Sequence, residues 1–295
     1  MPPLPARPLL PRLGAFGLLE KVYSAGRAQI AVLRALAVGD GEGGLGAEAV
    51  AVGPAVAALL EGGGASRPVE VRRSAVEVLG KLGLTEGRPI AERLGQPDPM
   101  TRLAAATALG RLSPEVAAPH AAALASRLID DDPLVREAAV VVLGRMLPEA
   151  AAPHAEAVAG RLTDDAAVVR LAAVEALRQL GQAVWRPHLK EMVPLLGDPA
   201  VDVRLVAAAT LGKLVAESGA DSVGEHAVGL SMGLARLLED SDGRVRWAAV
   251  ASLGQLGQSG WAGVVRPPVE ALLRSDGAEV RRTAQDTLSR IDGSA

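Results

Sequence analysis

Residues 135–147 read VREAAVVVLGRML, and variants of this phrase recur six more times along the chain. They start at Val71 (VRRSAVEVLGKLG), Thr101 (TRLAAATALGRLS), Val169 (VRLAAVEALRQLG), Val203 (VRLVAAATLGKLV), Val245 (VRWAAVASLGQLG) and Val280 (VRRTAQDTLSRID). The arginine in second place forms a column of Arg72, Arg102, Arg136, Arg170, Arg204, Arg246 and Arg281, spaced by 30, 34, 34, 34, 42 and 35 residues. Residues 114–147 and 148–181 are identical at 19 of 34 positions, so the unit is duplicated and not merely similar in composition.

Each phrase places apolar residues three, four, seven and ten positions after its arginine, as at Ala173, Val174, Leu177 and Leu180. That spacing is the buried stripe of a helix with 3.6 residues per turn. Ahead of it lies an aspartate-rich turn such as Asp130 to Pro133, in which Asp132 is placed to cap the helix beginning at Pro133. Further upstream, APHAEAVAGRL from Ala152 reads as a first helix that opens at its proline, where a missing N–H does no harm in the first turn. The unit is therefore helix, turn, helix. A single pair cannot bury its own apolar face, so pairs must stack, and a fixed rotation per pair generates a superhelix.

Composition agrees. Of 295 residues, 49% are hydrophobic but only 2% aromatic, so the core is built from Ala, Val and Leu, whose small side chains let helices approach closely. Cysteine is absent, which removes disulfides, thiolate metal sites and cysteine nucleophiles from consideration. A net charge of −3 offers no global field for a nucleic acid backbone, and Gly, Pro and Arg interrupt every apolar run before it reaches the length of a membrane span.

About eight pairs fit, giving an all-α, right-handed α-α superhelix roughly 80 Å long at about 10 Å per layer. Residues 1–15 read as a proline-rich flexible terminus or a targeting segment, 16–64 as degenerate capping pairs and 65–292 as regular repeats of one solenoid covering 16–292. In the first pair Gln29 stands where the arginine is expected, and glycine runs at Gly39 to Gly46 and Gly62 to Gly64 break both early pairs. Arg7 and Arg12 without an acid in the first nineteen residues suit organelle import, although five prolines in the first eleven oppose an amphipathic leader. A soluble, cytoplasmic protein is the expectation, with import as the alternative.

The phrase D-x-D-x-x-V-R-x-x-A-x-x-x-L-G-x-L resembles the HEAT repeat, and its Asp-Pro and Val-Arg rich form is similar to the subgroup named for phycobilisome lyases. The resemblance covers about residues 65–292. It implies a scaffold, adaptor or accessory subunit of a larger assembly that binds another protein, with no cofactor and no catalysis. It also leaves two rivals open: a bilin lyase or chromophore chaperone, which needs a polar and aromatic pocket, and a HEAT-type DNA glycosylase, which needs a basic groove with an aromatic and a carboxylate.

Candidate sites fall into columns. The arginines and the aspartates six residues before four of them, Asp130, Asp164, Asp198 and Asp240, are present regardless of position in the array, which marks a structural ladder tying each turn to its own or the next repeat. His120, His154 and His188 each follow a proline; equivalent atoms in stacked helices are about 8–10 Å apart, too far to share a metal. They are expected to be exposed helix-start residues, and no metal is expected. No Walker loop or G-x-S-x-G elbow occurs.

The columns that packing leaves free are where a partner can be recognised. One residue after the arginine stand Arg73, Leu103, Glu137, Leu171, Leu205, Trp247 and Arg282. The apolar members Leu103, Leu171, Leu205 and Trp247 are the candidate partner stripe, on the helix that lines the concave surface in the family resembled. Nine residues after the arginine, Lys81, Arg111, Arg145, Lys213 and Arg290, with Gln179 and Gln255 between, make a candidate basic ribbon, or serve only to offset the negative helix ends.

Overall fold

The computed structural model describes residues 87–218 and 226–293, together with Ser74, Ala75, Val76 and Val78. Most of the first two expected pairs, the proline-rich terminus, Arg72, Arg73 and Lys81 lie outside the described residues. Among the described residues no strand occurs, and the fold is an α-α solenoid. The chain divides into two compact units, Met1–Arg127 and Leu128–Ala295.

The recurring phrases are the second helices of successive pairs. In the first unit this is α1 (Pro99–Leu109). In the second unit they are α2 (Pro133–Arg145), α3 (Ala167–Leu180), α4 (Val201–Ser218), α5 (Gly243–Leu256) and α6 (Ala278–Ile291). Starts are set by local chemistry. The carboxylates of Asp98, Asp132 and Asp242 accept N–H bonds from Thr101, Leu134 and Arg244 at 2.7, 2.8 and 2.8 Å, satisfying donors that a helix start leaves orphaned.

First helices are not what their sequence suggests. Residues 148–163 start a turn earlier than Pro153, at Pro148, and pass through Pro153 in a tight 3₁₀ turn (Ala152–His154) before resuming at Ala155–Ala159. Pro119 and Pro187 sit in the same way. Proline lacks the N–H that an interior α-turn needs and its ring crowds the preceding carbonyl, so the helix tightens there instead of opening there.

The core is the predicted stripe. Three, seven and ten residues after the arginine, α2 to α5 bury Ala139, Leu143 and Met146; Ala173, Leu177 and Leu180; Ala207, Leu211 and Leu214; and Ala249, Leu253 and Leu256. Each large member stabilises by about 1.5–3 kcal/mol relative to exposure. Eight residues after the arginine, glycine brings second helices into contact: a Cβ added to Gly144 would stand 2.7 Å from the Cα of Ala176, and one added to Gly212 would stand 2.3 Å from the Cβ of Ser252. Ser252 donates from its hydroxyl to the carbonyl of Ala208 at 2.9 Å across the α4–α5 approach. In α3 the same position is Arg178.

Candidate functional site

The arginine column builds one edge of the second unit. Arg136 donates from Nη1 to the carbonyls of Asp130 and Asp131 in its own turn, at 2.9 and 3.2 Å, and from Nε and Nη2 to both carboxylate oxygens of Asp164 in the next, at 2.9 and 2.7 Å. Asp165 also accepts from its Nη2. Arg170 repeats the pattern on Asp164 and Asp165 carbonyls and the Asp198 carboxylate, and Arg204 on Asp198 and Pro199 carbonyls and the Asp240 carboxylate. One guanidinium thus binds its own turn and the neighbour's, in the bidentate geometry its planar fork allows.

Each aspartate also orders its own turn by accepting the N–H two residues on. Asp130, Asp164, Asp198 and Asp240 take Asp132, Ala166, Ala200 and Asp242 at 3.1, 3.0, 2.8 and 2.9 Å. Burial raises the pKa of Asp164 and of Asp198, yet the arginine of the preceding repeat and the turn N–H outweigh it and hold both carboxyls below the usual range. For Asp240 the bond from Arg204 is the leading cause of a lowered pKa. The ladder changes where aspartate runs out. Ser275 occupies the next position in the column, and Arg246 turns its Nη2 to Glu279 at 2.8 Å while keeping the carbonyls of Asp240 and Ser241. Arg281 holds Ser275 and Asp276 carbonyls at 2.7 and 2.9 Å. In the first unit Arg102 holds those of Gln96 and Pro97 at 2.9 and 2.7 Å.

The histidines correct an expectation: His188 is buried, His120 and His154 are half-buried, and all three end the internal 3₁₀ turn rather than start a helix. In the first unit burial lowers the pKa of His120, whose ring lies where a Cβ on Gly87 would come within 2.6 Å. Among the described residues no group of His, Cys, Asp or Glu is gathered to hold a metal ion.

The free face of the second helices in the second unit is of a different kind. Trp247 is 68% exposed. Leu171 and Leu205 are half-buried on α3 and α4. Two further members were missed in the sequence: Leu134 and Val168, two residues before their arginines, are 46% and 45% exposed. Positions two before and one, five and nine after the arginine differ by three or four residues and so share one face; the first of these columns lies outside the repeated phrase, which starts one residue before the arginine. Leu103 is half-buried and Met100 exposed on α1 in the first unit. In the middle of the face Val141, Ala209 and Ala251 are small, and Glu175 is engaged by Arg178 at 2.8 and 2.5 Å and by Gln179 at 2.7 Å, with Arg178 holding its carboxyl below the usual range.

The nine-position column lies at the far end of this face. Arg145, Lys213 and Arg290 are exposed in the second unit, and Arg111 in the first. Lys213 reaches Glu217 at 3.9 Å. The other two tryptophans, Trp185 and Trp261, are buried in the core, so among the described residues Trp247 is the aromatic side chain that a ligand can reach.

A family model described as HEAT repeats matches residues 88–178, and one described as PBS lyase HEAT-like repeat matches residues 169–193. No curated protein matches the chain. Among solved structures, an engineered protein is similar at 19% identity over 94% of this chain and 78% of its own, with a TM-score of 0.59. A homology model of the full-length AP-3 complex contains a chain at 16% identity over 94% of this one, TM-score 0.69, of which this chain spans 50%. A designed armadillo repeat protein in complex with a peptide, (KR)4, is similar at 18% identity over 68% of this chain and 98% of its own, TM-score 0.51. At these identities the likeness is one of fold.

Proposed function

We propose that this chain, whose residues 88–193 match HEAT-repeat models, is a non-catalytic platform for another protein, bound on the free face of its second helices. The carrying observation is Trp247, a large apolar side chain 68% exposed in a molecule that buries its other tryptophans, in the column that Leu205 occupies on the preceding second helix. Apolar surface left uncovered in a patch marks an interaction site, and tryptophan is among the commonest hot spots. The occurrence of similar folds in a multi-subunit complex and in a designed repeat protein in complex with a peptide supports a protein partner. Arg136, Arg170 and Arg204 take no part in this reading, since each is bonded through Nε, Nη1 and Nη2 within the array.

Trp247→Ala is expected to weaken binding of the partner isolated from the native source by about 2 kcal/mol or more. Its effect on folding should stay near the ±0.5 kcal/mol of exposed substitutions, whereas truncating a buried tryptophan would cost about 3–5 kcal/mol. Early melting of the variant, or partner binding equal to wild type, would refute the assignment.

A further inference from the structure

We infer that the forward face of the last described pair, the helix Ala262–Ala271 with α6, is a second binding surface, and that its occupant is a helix pair of a partner protein whose inter-helix turn carries an aspartate. Four equivalent seams in the second unit show what covers such a face. Eight residues before their arginines, Leu128, Leu162, Leu196 and Leu238 are buried. This column faces forward: a Cβ added to Gly233, in the first helix of the following pair (Ala227–Arg236), would stand 2.7 Å from Cδ1 of Leu196. Across an earlier seam Arg161 donates to the carbonyl of Leu128 at 3.1 Å. The arginine forks also face forward, since Arg136, Arg170 and Arg204 hold their own turn through Nη1 and the following pair's carboxylate through Nε and Nη2.

The last pair keeps both parts of this seam uncovered. Leu273, the next member of the leucine column, is 39% exposed. Leu288, in the column of the fully buried Leu143, Leu177, Leu211 and Leu253, is half-buried. Arg281 holds the carbonyls of Ser275 and Asp276 through Nη1, and among the described residues its Nε and Nη2 have no acceptor. The acids nearby answer backward: Glu279 takes Arg246 of the preceding pair, and Asp276 stands in the place of Asp165, which takes Arg136. Gln285 replaces the apolar Val140, Val174, Ala208 and Val250 of its column, so the face is more polar than an internal seam, as in interfaces whose partners also exist apart.

An open bidentate fork and an uncovered leucine on one face specify a carboxylate and an apolar helix side presented together. The turns of Asp164, Asp198 and Asp240, each followed by a second helix, are that combination inside the array. A second copy of this chain cannot supply it from those turns, because their carboxylates are already bonded to Arg136, Arg170 and Arg204. The occupant is thus a different protein with a repeat of the same kind, seated on Arg281 as Asp198 is seated on Arg170. This surface is separate from the face that carries Trp247.

The test mixes the full chain with a fluorescently labelled probe, residues 148–217 of the same sequence, two helix pairs whose leading turn presents Asp164 without Arg136. Probe anisotropy and any gain of helical circular dichroism on mixing report binding. The probe is expected to bind. Asp164→Asn in the probe, or Arg281→Ala or Leu273→Gln in the full chain, should each weaken it at least about ten-fold, as loss of a charge-assisted pair or of an apolar contact implies. Combining Asp164→Asn with Arg281→Ala should cost no more than either alone. Leu273→Gln leaves the Arg281 turn intact, so it decides the matter if Arg281→Ala loosens α6. Trp247→Ala should bind the probe as wild type does. No binding by the parent probe, an Asp164→Asn probe as tight as the parent, binding indifferent to both full-chain substitutions, or loss of binding in Trp247→Ala overturns the inference.

Discussion

Replacing Arg170 by alanine isolates one rung of the ladder. The substitution removes two N–H bonds to the Asp198 carboxylate, both at 2.7 Å, and two to the carbonyls of Asp164 and Asp165. It leaves a carboxylate whose side chain is 4% exposed with the Ala200 N–H as a remaining partner. Breaking a buried pair by removing one partner costs about 3–5 kcal/mol, because the survivor is an uncompensated charge; the 11% exposure of Arg170 places the expectation at the lower end, about 3 kcal/mol. Asp198→Asn keeps an oxygen that can accept from Ala200, but it leaves the Arg170 guanidinium, 11% exposed, without its counter-ion, so it should also destabilise. The double variant should fall short of the sum of the two, the difference measuring the pair. Unfolding in urea, which does not screen charge, followed by far-ultraviolet circular dichroism, gives all four corners of the cycle. The pH dependence supplies a second signature. The folded carboxyl of Asp198 has a lowered pKa, so its contribution is present above the ordinary carboxylate pKa of about 4 and is lost as pH falls through the folded value. Asp198→Asn should remove that part of the acid sensitivity. A cost below about 1 kcal/mol for Arg170→Ala, the range of exposed pairs, would refute the view that the rung is a buried structural bond.

Gly212→Val places a side chain against Ser252, whose Cβ lies 2.3 Å from the new Cβ position. It should destabilise by about 1–3 kcal/mol or more in urea unfolding, and a neutral result would mean that α4 and α5 do not pack as closely as described. Removing residues 261–295 deletes α6 and the helix before it, so stability should fall while helical circular dichroism per residue persists, as nearest-neighbour coupling requires; complete loss of helical signal would instead indicate a single cooperative globule.

The second helices were legible because their signal is redundant. Seven phrases repeat the same apolar stripe, so the assignment of Ala173, Leu177 and Leu180 to the core rests on every copy at once. First helices were less legible because Pro153 and its equivalents carry two meanings, and a helix start is the commoner one; the earlier turn at Pro148 supplies a second start signal that the phrase from Ala152 omits. The histidines were misplaced for the same reason, since shifting the helix start by a turn moves His188 from an open end to a covered middle. The glycine of the L-G-x-L phrase was visible, but its cause was not: only the approach of Ala176 and Ser252 shows why a Cβ is excluded at Gly144 and Gly212.

Repetition and function leave opposite marks on such a chain, and Arg178 shows how they meet. A position held by glycine at 144, 212 and 254 is fixed by helix approach, so a departure from it changes local packing. At α3 the departure introduces a guanidinium that binds Glu175, the residue standing where neighbouring helices carry Val141, Ala209 and Ala251. The two departures compensate, because Arg178 and Glu175, both about a third exposed, pair with each other. They also place a neutralised pair at the centre of the face, between the apolar row and the cations. Leu134, Val168, Leu171, Leu205 and Trp247 share no residue type that packing demands at their columns, where Glu137 and Arg282 serve equally well elsewhere. What the solenoid does not need at those positions is free to be specified by a ligand, and Trp247, Leu134 and Val168 are left 68%, 46% and 45% exposed there.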